Sequence, residues 1–462
     1  MRETITIIDA LIVPIYLLIF WVIASSVKRK HIDNEPCYQY FTIGLMLKLF
    51  AGIAFALIYT YHYGETDTHY YYWGTQSLER LAHKNFGAFA MIMAGGHTPE
   101  LHSAFDWTTG WPTYWRDPNS FAVCRFNVPL YLLGFKTFLG NVLVLNVFLF
   151  IGIWKFYKLM LKFFPNNDRN FAIALLFVPS VVFWGSSLLK DSWCMVMSMF
   201  VFCAAYSIFI SRKRILGNTI LLIVCSYICM SIRPYTFFTT MGACLVWIGF
   251  TYVYRMHSRM FRVLVFPIIV AVIWLVGVGL FSRLSSLANE RYQSLDAIIE
   301  TAVIIQDDLK KEYYGGNSFD IGEIDPSVGG LLAKAPAAIM AGVFRPFLWE
   351  SRNVLMLISG LETFAILLII IYLLFKFGLR RMVSVIMRNP FLISAFVFMI
   401  TYAFFVGLTT ANFGALVRYR LPVIVFLSLI LAVIWRYMQL SNTVNSDISS
   451  GKKPSISDNQ IH

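Results

Sequence analysis

Charge is scarce in this sequence. Only 14% of the 462 residues are Asp, Glu, Lys or Arg, where a soluble domain carries about a quarter, and the shortfall excludes an ordinary water-soluble fold. A cysteine framework is missing too. The seven cysteines are scattered, and Cys194, Cys203, Cys225, Cys229 and Cys244 lie inside apolar runs. Neither a disulfide scaffold nor a zinc motif is spelled out. No internal repeat is present. No cleavable leader is expected, because the first apolar segment is too long for a signal-peptide core and lacks a small-residue cleavage site before Lys28, Arg29 and Lys30. Acidic residues number 25 against 38 basic ones, a net charge of +13. Such an excess can mark a nucleic-acid binder, but here it falls in short connections between apolar segments, so no nucleic acid is expected as a partner.

What the sequence has is hydrophobicity: 58% of residues are apolar, and the mean hydropathy is +0.66. A helix needs about 20 mostly apolar residues to cross a bilayer. Eleven segments qualify, near 6–26, 40–61, 141–163, 170–188, 192–211, 215–232, 236–254, 262–281, 354–375, 389–408 and 419–437. Every second connection is basic. Those connections hold Lys28 to Lys30, then Lys155 to Arg169, Arg212 to Arg214, Arg255 to Arg262, and Lys376 to Arg388, with Lys452 and Lys453 in the tail. Since Lys and Arg collect on the cytoplasmic side, the pattern places the N-terminus outside and the C-terminus inside. The sequence thus predicts an all-α polytopic membrane protein with about 11 transmembrane helices, embedded in a lipid bilayer over residues 1–437. Two large external loops, 62–140 and 282–353, carry interfacial helices, and residues 438–462 form a disordered tail.

The candidate chemistry lies on the outer face. Residues 61–73 read YHYGETDTHYYYW, with Glu65 and Asp67 one residue apart just beyond an apolar run. Such a pair can hold a divalent cation, Mg or Mn, through oxygen ligands. Alternatively, Asp67 alone can take a proton from an attacking hydroxyl. Tyr72 and its aromatic neighbours offer flat faces to a sugar, and His69 is the histidine nearest the acids. An aromatic belt with solvated acids at a helix end explains the same residues without chemistry.

Arg233, Arg345, Arg418 and Arg420 lie on the side that positive residues usually avoid. Guanidinium suits phosphate through its planar fork, so these four are candidate phosphate contacts; snorkelling, or pairing with Glu350 or Asp191, is the alternative. Arg418 and Arg420 would grip one phosphate together if their segment is extended, and would diverge by about 200° if it is helical. The connection FWGSSLLKDSW at 183–193 offers Lys190 and Asp191 to the same face.

An acidic motif in the first large external loop, many spans and outer-boundary arginines resemble the GT-C superfamily of membrane glycosyltransferases. PSVVFWGSSLLKDS, FRPFLWE and NFGALVRYRLP look like segments of bacterial proteins associated with surface-polysaccharide synthesis. The resemblance implies an enzyme of the bacterial inner membrane that moves a sugar from a polyprenyl-phosphate donor to a glycan or glycolipid acceptor on the periplasmic side. It further implies that Asp67 is catalytic base or metal ligand, with Glu65 as companion and Asp191 as a second acid. The chain departs from the family pattern in one respect: the acidic loop follows the second span rather than the first. Two rival functions fit similar features. A polysaccharide polymerase or ligase would use a polyprenyl-diphosphate donor, and a non-enzymatic lipid-linked sugar transporter would string ionisable groups along its spans.

Overall fold

The computed structural model describes residues 4–255, 304, 318–319, 322 and 328–449. It is 83% helix, and no strand occurs among the described residues. Nine helical stretches there are long and apolar enough to cross a membrane: Ile7–His31, Pro36–Tyr61, Phe138–Phe163, Lys190–Ile210, Ile215–Ile232, Pro234–Tyr254, Val354–Lys376, Pro390–Thr409 and Leu421–Thr443. Each matches one of the eleven expected segments. The segment expected at 170–188 is instead a bent pair, Asp168–Phe177 and Pro179–Ser186. Pro179 cannot donate a backbone hydrogen bond, and Val178 before it adopts the extended conformation that proline imposes on its predecessor. The segment expected at 262–281, and most of 282–327, lie outside the described residues.

The helices used below are α1 (Ile7–His31), α2 (Phe41–Tyr61), α3 (Asp67–Lys84), α4 (Pro118–Leu133), α5 (Phe138–Phe163), α6 (Lys190–Ala205), α7 (Ile215–Ile232), α8 (Pro234–Tyr254), α9 (Val328–Phe344), α10 (Val354–Lys376), α11 (Pro390–Thr409), α12 (Phe413–Tyr419) and α13 (Leu421–Ser449). Residues 438–449, expected to be disordered, belong to a helix: α13 runs through Ser449, and 450–462 lie outside the described residues.

The chain divides into two compact units. The first comprises Met1–Phe156, Ser180–Phe238 and Ser282–Ser294. In it α3 packs on α4, α4 on α7, and α7 on α6. Several buried polar groups are matched. Asn127 and Asn141 exchange amide hydrogen bonds of 2.7 and 3.0 Å, and the Asp9 carboxylate accepts from the Leu139 amide at 2.7 Å. The Lys48 ammonium, buried in α2, donates to the Gly185 carbonyl at 2.6 Å and the Ser186 hydroxyl at 3.2 Å. The stretch after α3 leaves Phe86, Met91, Trp107 and Trp111 exposed, a wide apolar display for one connection.

The second unit comprises Tyr157–Pro179, Thr239–Phe281 and Leu295–His462. Its closest helix pair is α9 on α11. A Cβ on Gly342 would lie 2.2 Å from the Ala403 carbonyl oxygen, and one on Gly407 would lie 1.9 Å from that of Ala338. Both helices thus present small residues four apart, which lets two backbones touch where lipid gives no hydrophobic drive for association. α13 packs on α10 and α11, and Phe398 meets Phe426 at 4.4 Å.

Candidate functional site

Four helix termini of the first unit bring together residues expected on the outer face. α3 starts with a capping box. Thr66 is the N-cap, and the His69 ring takes the place usually held by Glu, its Nδ1 accepting from the Thr66 amide at 3.2 Å. His69 Nε2 lies 3.0 Å from the Thr60 hydroxyl. Both ring nitrogens are therefore engaged, and the side chain is buried. Burial pushes the His69 pKa below its usual value, against the opposing pull of Glu65 and the Thr66 hydrogen bond. Asp67 is the first residue of α3, where the helix dipole favours a carboxylate. It is half-buried, and its Oδ1 accepts from the Tyr114 hydroxyl at 2.5 Å. Glu65, two residues earlier, is exposed.

α4 starts at Asp117, which caps the Asn119 amide at 3.2 Å and is followed by Pro118. Its other oxygen accepts from Ser120 Oγ at 2.5 Å and from Lys190 Nζ at 3.3 Å. Burial raises the Asp117 pKa, but Lys190 and Ser120 outweigh it and leave the carboxyl below its usual range. The Asn119 side-chain amide donates to the Ser231 carbonyl at 3.2 Å, fastening this end of α4 to the end of α7.

α6 starts at Lys190, with a cation in the first turn where the helix dipole disfavours one. The charges of Asp117, Arg233 and Asp67 all reach it. Next to it, Asp191 is buried and pairs with Arg233 at 2.6 Å. The contact angle falls outside hydrogen-bond geometry for that oxygen, so the attraction is chiefly Coulombic. Arg233 links α7 to α8, is itself buried, and donates to the Tyr235 hydroxyl at 3.2 Å.

The sequence expectations separate here. Asp67, Lys190, Asp191 and Arg233 come together at helix ends of the first unit. Tyr72 is buried, donating to the Lys136 carbonyl at 3.1 Å and packed against Phe138, so it presents no face to a sugar. Asp117 and Tyr114 were not singled out as chemistry. The Asp-Pro-Asn-Ser run at 117–120 is a helix-start signal that places one more carboxylate beside Lys190. Of the other loop histidines, His97 stacks on Trp115 at 4.3 Å and His83 pairs with Glu79 at 2.9 Å. Among the described residues, no group of three or more His, Cys, Asp or Glu is placed to hold a metal ion.

The other three arginines belong to the second unit. Arg345 pairs with Glu350 at 3.4 Å and lies over the Phe319 ring at 5.1 Å. Arg418 is half-buried near the end of α12, and Arg420 caps that helix with helix-like dihedrals. The segment is helical rather than extended, so the two side chains diverge and do not grip one phosphate together. Arg420 is fully buried. It donates to Ser359 Oγ at 2.8 Å, to Thr363 Oγ1 at 2.7 Å and to the Arg345 carbonyl, which makes it a clasp between α10 and the start of α13. Compared with known proteins, the chain matches no family model, no curated protein and no solved structure.

Proposed function

We propose that the protein is an inverting membrane glycosyltransferase using a polyprenyl-phosphate-linked sugar, with its site on the periplasmic side of a bacterial inner membrane. The observation that carries this reading is Lys190. A lysine at the positive end of α6, paired with Asp117 and reached by the field of Asp67, makes a place where a phosphate can exchange for a side-chain acid. Asp67, half-buried and held by Tyr114, is the base. It takes the proton of an acceptor hydroxyl as that oxygen bonds to the anomeric carbon and the carbon–oxygen bond to phosphate breaks. Polyprenyl phosphate leaves with the bonding pair. Lys190 and, behind it, Arg233 stabilise the charge that grows on the departing oxygen. Asp191 holds the Arg233 guanidinium in place. These roles use side chains alone.

The test is release of free polyprenyl phosphate by the purified protein in nanodiscs from a panel of radiolabelled polyprenyl-phosphate hexoses. Lys190→Met and Asp67→Asn should abolish it. Turnover of diphosphate donors alone would favour the polymerase or ligase reading. Release from neither donor class would remove the enzyme assignment.

A further inference from the structure

The second unit contains a two-part groove that glycosyl transfer on the outer face does not use. One part has a volume of about 440 Å³ and is almost wholly apolar. Three stripes at helical spacing line it. α10 contributes Ala365, Ile366 and Ile369, α13 contributes Ser428, Leu431 and Trp435, and the third wall is the stretch from Asn170 to Pro179. The break at Val178 opens that third wall. Glu362 closes the far end, where its charge and that of Arg420 act on each other. From Glu362 to Ile369 the groove follows α10 for about 10 Å.

The other part, of about 520 Å³, continues from the first and shares Asn170, Ile173 and Trp435 with it. Its character is opposite. Arg169, Arg436, Asn166 and Gln439 line it, with no acidic side chain. Neither arginine makes an ion pair with a described residue. Arg169 belongs to the basic connection that follows α5, so this mouth opens toward the leaflet that the positive residues face.

We infer that this groove binds an anionic phospholipid of that leaflet, its phosphate between Arg169 and Arg436 and one acyl chain in the apolar part. A basic pocket between membrane helices on the cytoplasmic side is where anionic head groups are recognised. The groove beside it, in hydrocarbon, requires an apolar occupant. Charge and depth agree on one amphiphile. The inference does not depend on the glycosyltransferase reading.

Native mass spectrometry of the full-length protein, titrated with phosphatidylglycerol and with phosphatidylcholine, tests it. Arg169→Gln with Arg436→Gln should weaken phosphatidylglycerol binding about tenfold and leave phosphatidylcholine unchanged. Arg380→Gln with Arg381→Gln removes the same charge elsewhere and should have no such effect. Ile369→Trp, which fills the apolar part, should weaken binding of the intact lipid. Size-exclusion profiles report folding for every variant. Equal loss in both arginine pairs would mean general attraction to a basic surface and would overturn the site. Retention of the lipid by Ile369→Trp, or equal binding of glycerol phosphate without chains, would remove the groove from the assignment. Preference for polyprenyl phosphate over phosphatidylglycerol would replace the proposed occupant.

Discussion

The Tyr114 hydroxyl donates to Asp67 Oδ1 across 47 residues of sequence at 2.5 Å. The contact fixes the carboxylate at the first turn of α3 and joins two parts of the loop that the sequence leaves unconnected. Asp67→Asn should reduce glycosyl transfer by about 10²- to 10⁴-fold, the usual contribution of a general base, with normal yield and insertion. Tyr114→Phe removes a hydrogen bond to a charged group, worth about 1.5–3 kcal/mol, and should cost about tenfold or more. Glu65→Gln, at an exposed position, should cost least. Near-normal turnover by Asp67→Asn would return this stretch to an aromatic belt.

Arg420 and Arg418 should part company in experiment. Arg420→Ala leaves Ser359, Thr363 and a carbonyl without their donor in a buried place, at about 1–3 kcal/mol for each unsatisfied group. Its thermal midpoint and folded yield should fall sharply, and Arg420→Lys should recover little because one ammonium cannot replace the fork. Arg418→Ala should leave folding intact, and any loss of donor affinity there would be a binding effect. An Arg420→Ala protein as stable as the parent would refute the clasp.

Acid should destabilise the first unit in two windows. The folded pKa of His69 is lowered from 6.5 by burial. Between that lowered value and 6.5, the unfolded chain holds a proton that the folded chain lacks, so stability rises with pH across the window and is lost as pH falls through it. Asp117 acts at lower pH. Its folded pKa lies below 3.8, and its contribution is present above 3.8 and lost as pH falls through the folded value. His69→Gln keeps an acceptor for the Thr66 amide and should flatten the thermal midpoint between pH 7 and pH 5. Some slope should persist from His97, whose pKa is lowered chiefly by burial and then by Arg125 and His102. An unchanged slope in His69→Gln would mean that His69 binds protons equally in the folded and unfolded chains, so that its pKa is not lowered by folding.

Membrane sidedness can be read with single cysteines in a background lacking the native seven. Positions 65 and 110 should react with an impermeant maleimide from the periplasm. Positions 213 and 445 should react only after the membrane is opened. Labelling of position 65 only from the cytoplasm would separate the proposed site from its donor and sink the mechanism.

The spans were legible because lipid accepts only long apolar helices, and a run such as 354–375 can be little else. Sidedness of the candidate residues is an expectation that rests on charge alternation. Partnership was legible only as an alternative. Pairing of the outer arginines with Asp191 or Glu350 was one of two readings, and the structure holds Arg233 against Asp191 and Arg345 against Glu350. Which acid meets which arginine depends on how the helices pack, which no local pattern encodes. His69 was misleading for a local reason: Thr66-Asp67-Thr68-His69 is a capping box with histidine where Glu or Gln is usual, so a structural residue looked like a ligand. Arg418 and Arg420 turned on backbone conformation after Gly414, where the Asn412 side chain caps the Gly414 and Ala415 amides and starts a helix.

The buried Lys48 bears on how the chain is made. Its partners, Gly185 and Ser186, are synthesised 137 and 138 residues later. Until they arrive, α2 carries an ammonium into hydrocarbon at a cost of about 2.5–3.5 kcal/mol on insertion scales. Ribosome-bound chains ending near residue 120 should therefore crosslink to the insertion machinery through α2. Chains ending near residue 240, with the Gly185 turn in the bilayer, should be released. Lys48→Leu should let the shorter chains go as well; equal crosslinking with and without the lysine would show that α2 leaves unaided. Biogenesis thus acquires an order, in which an early helix waits at the insertase for a late one.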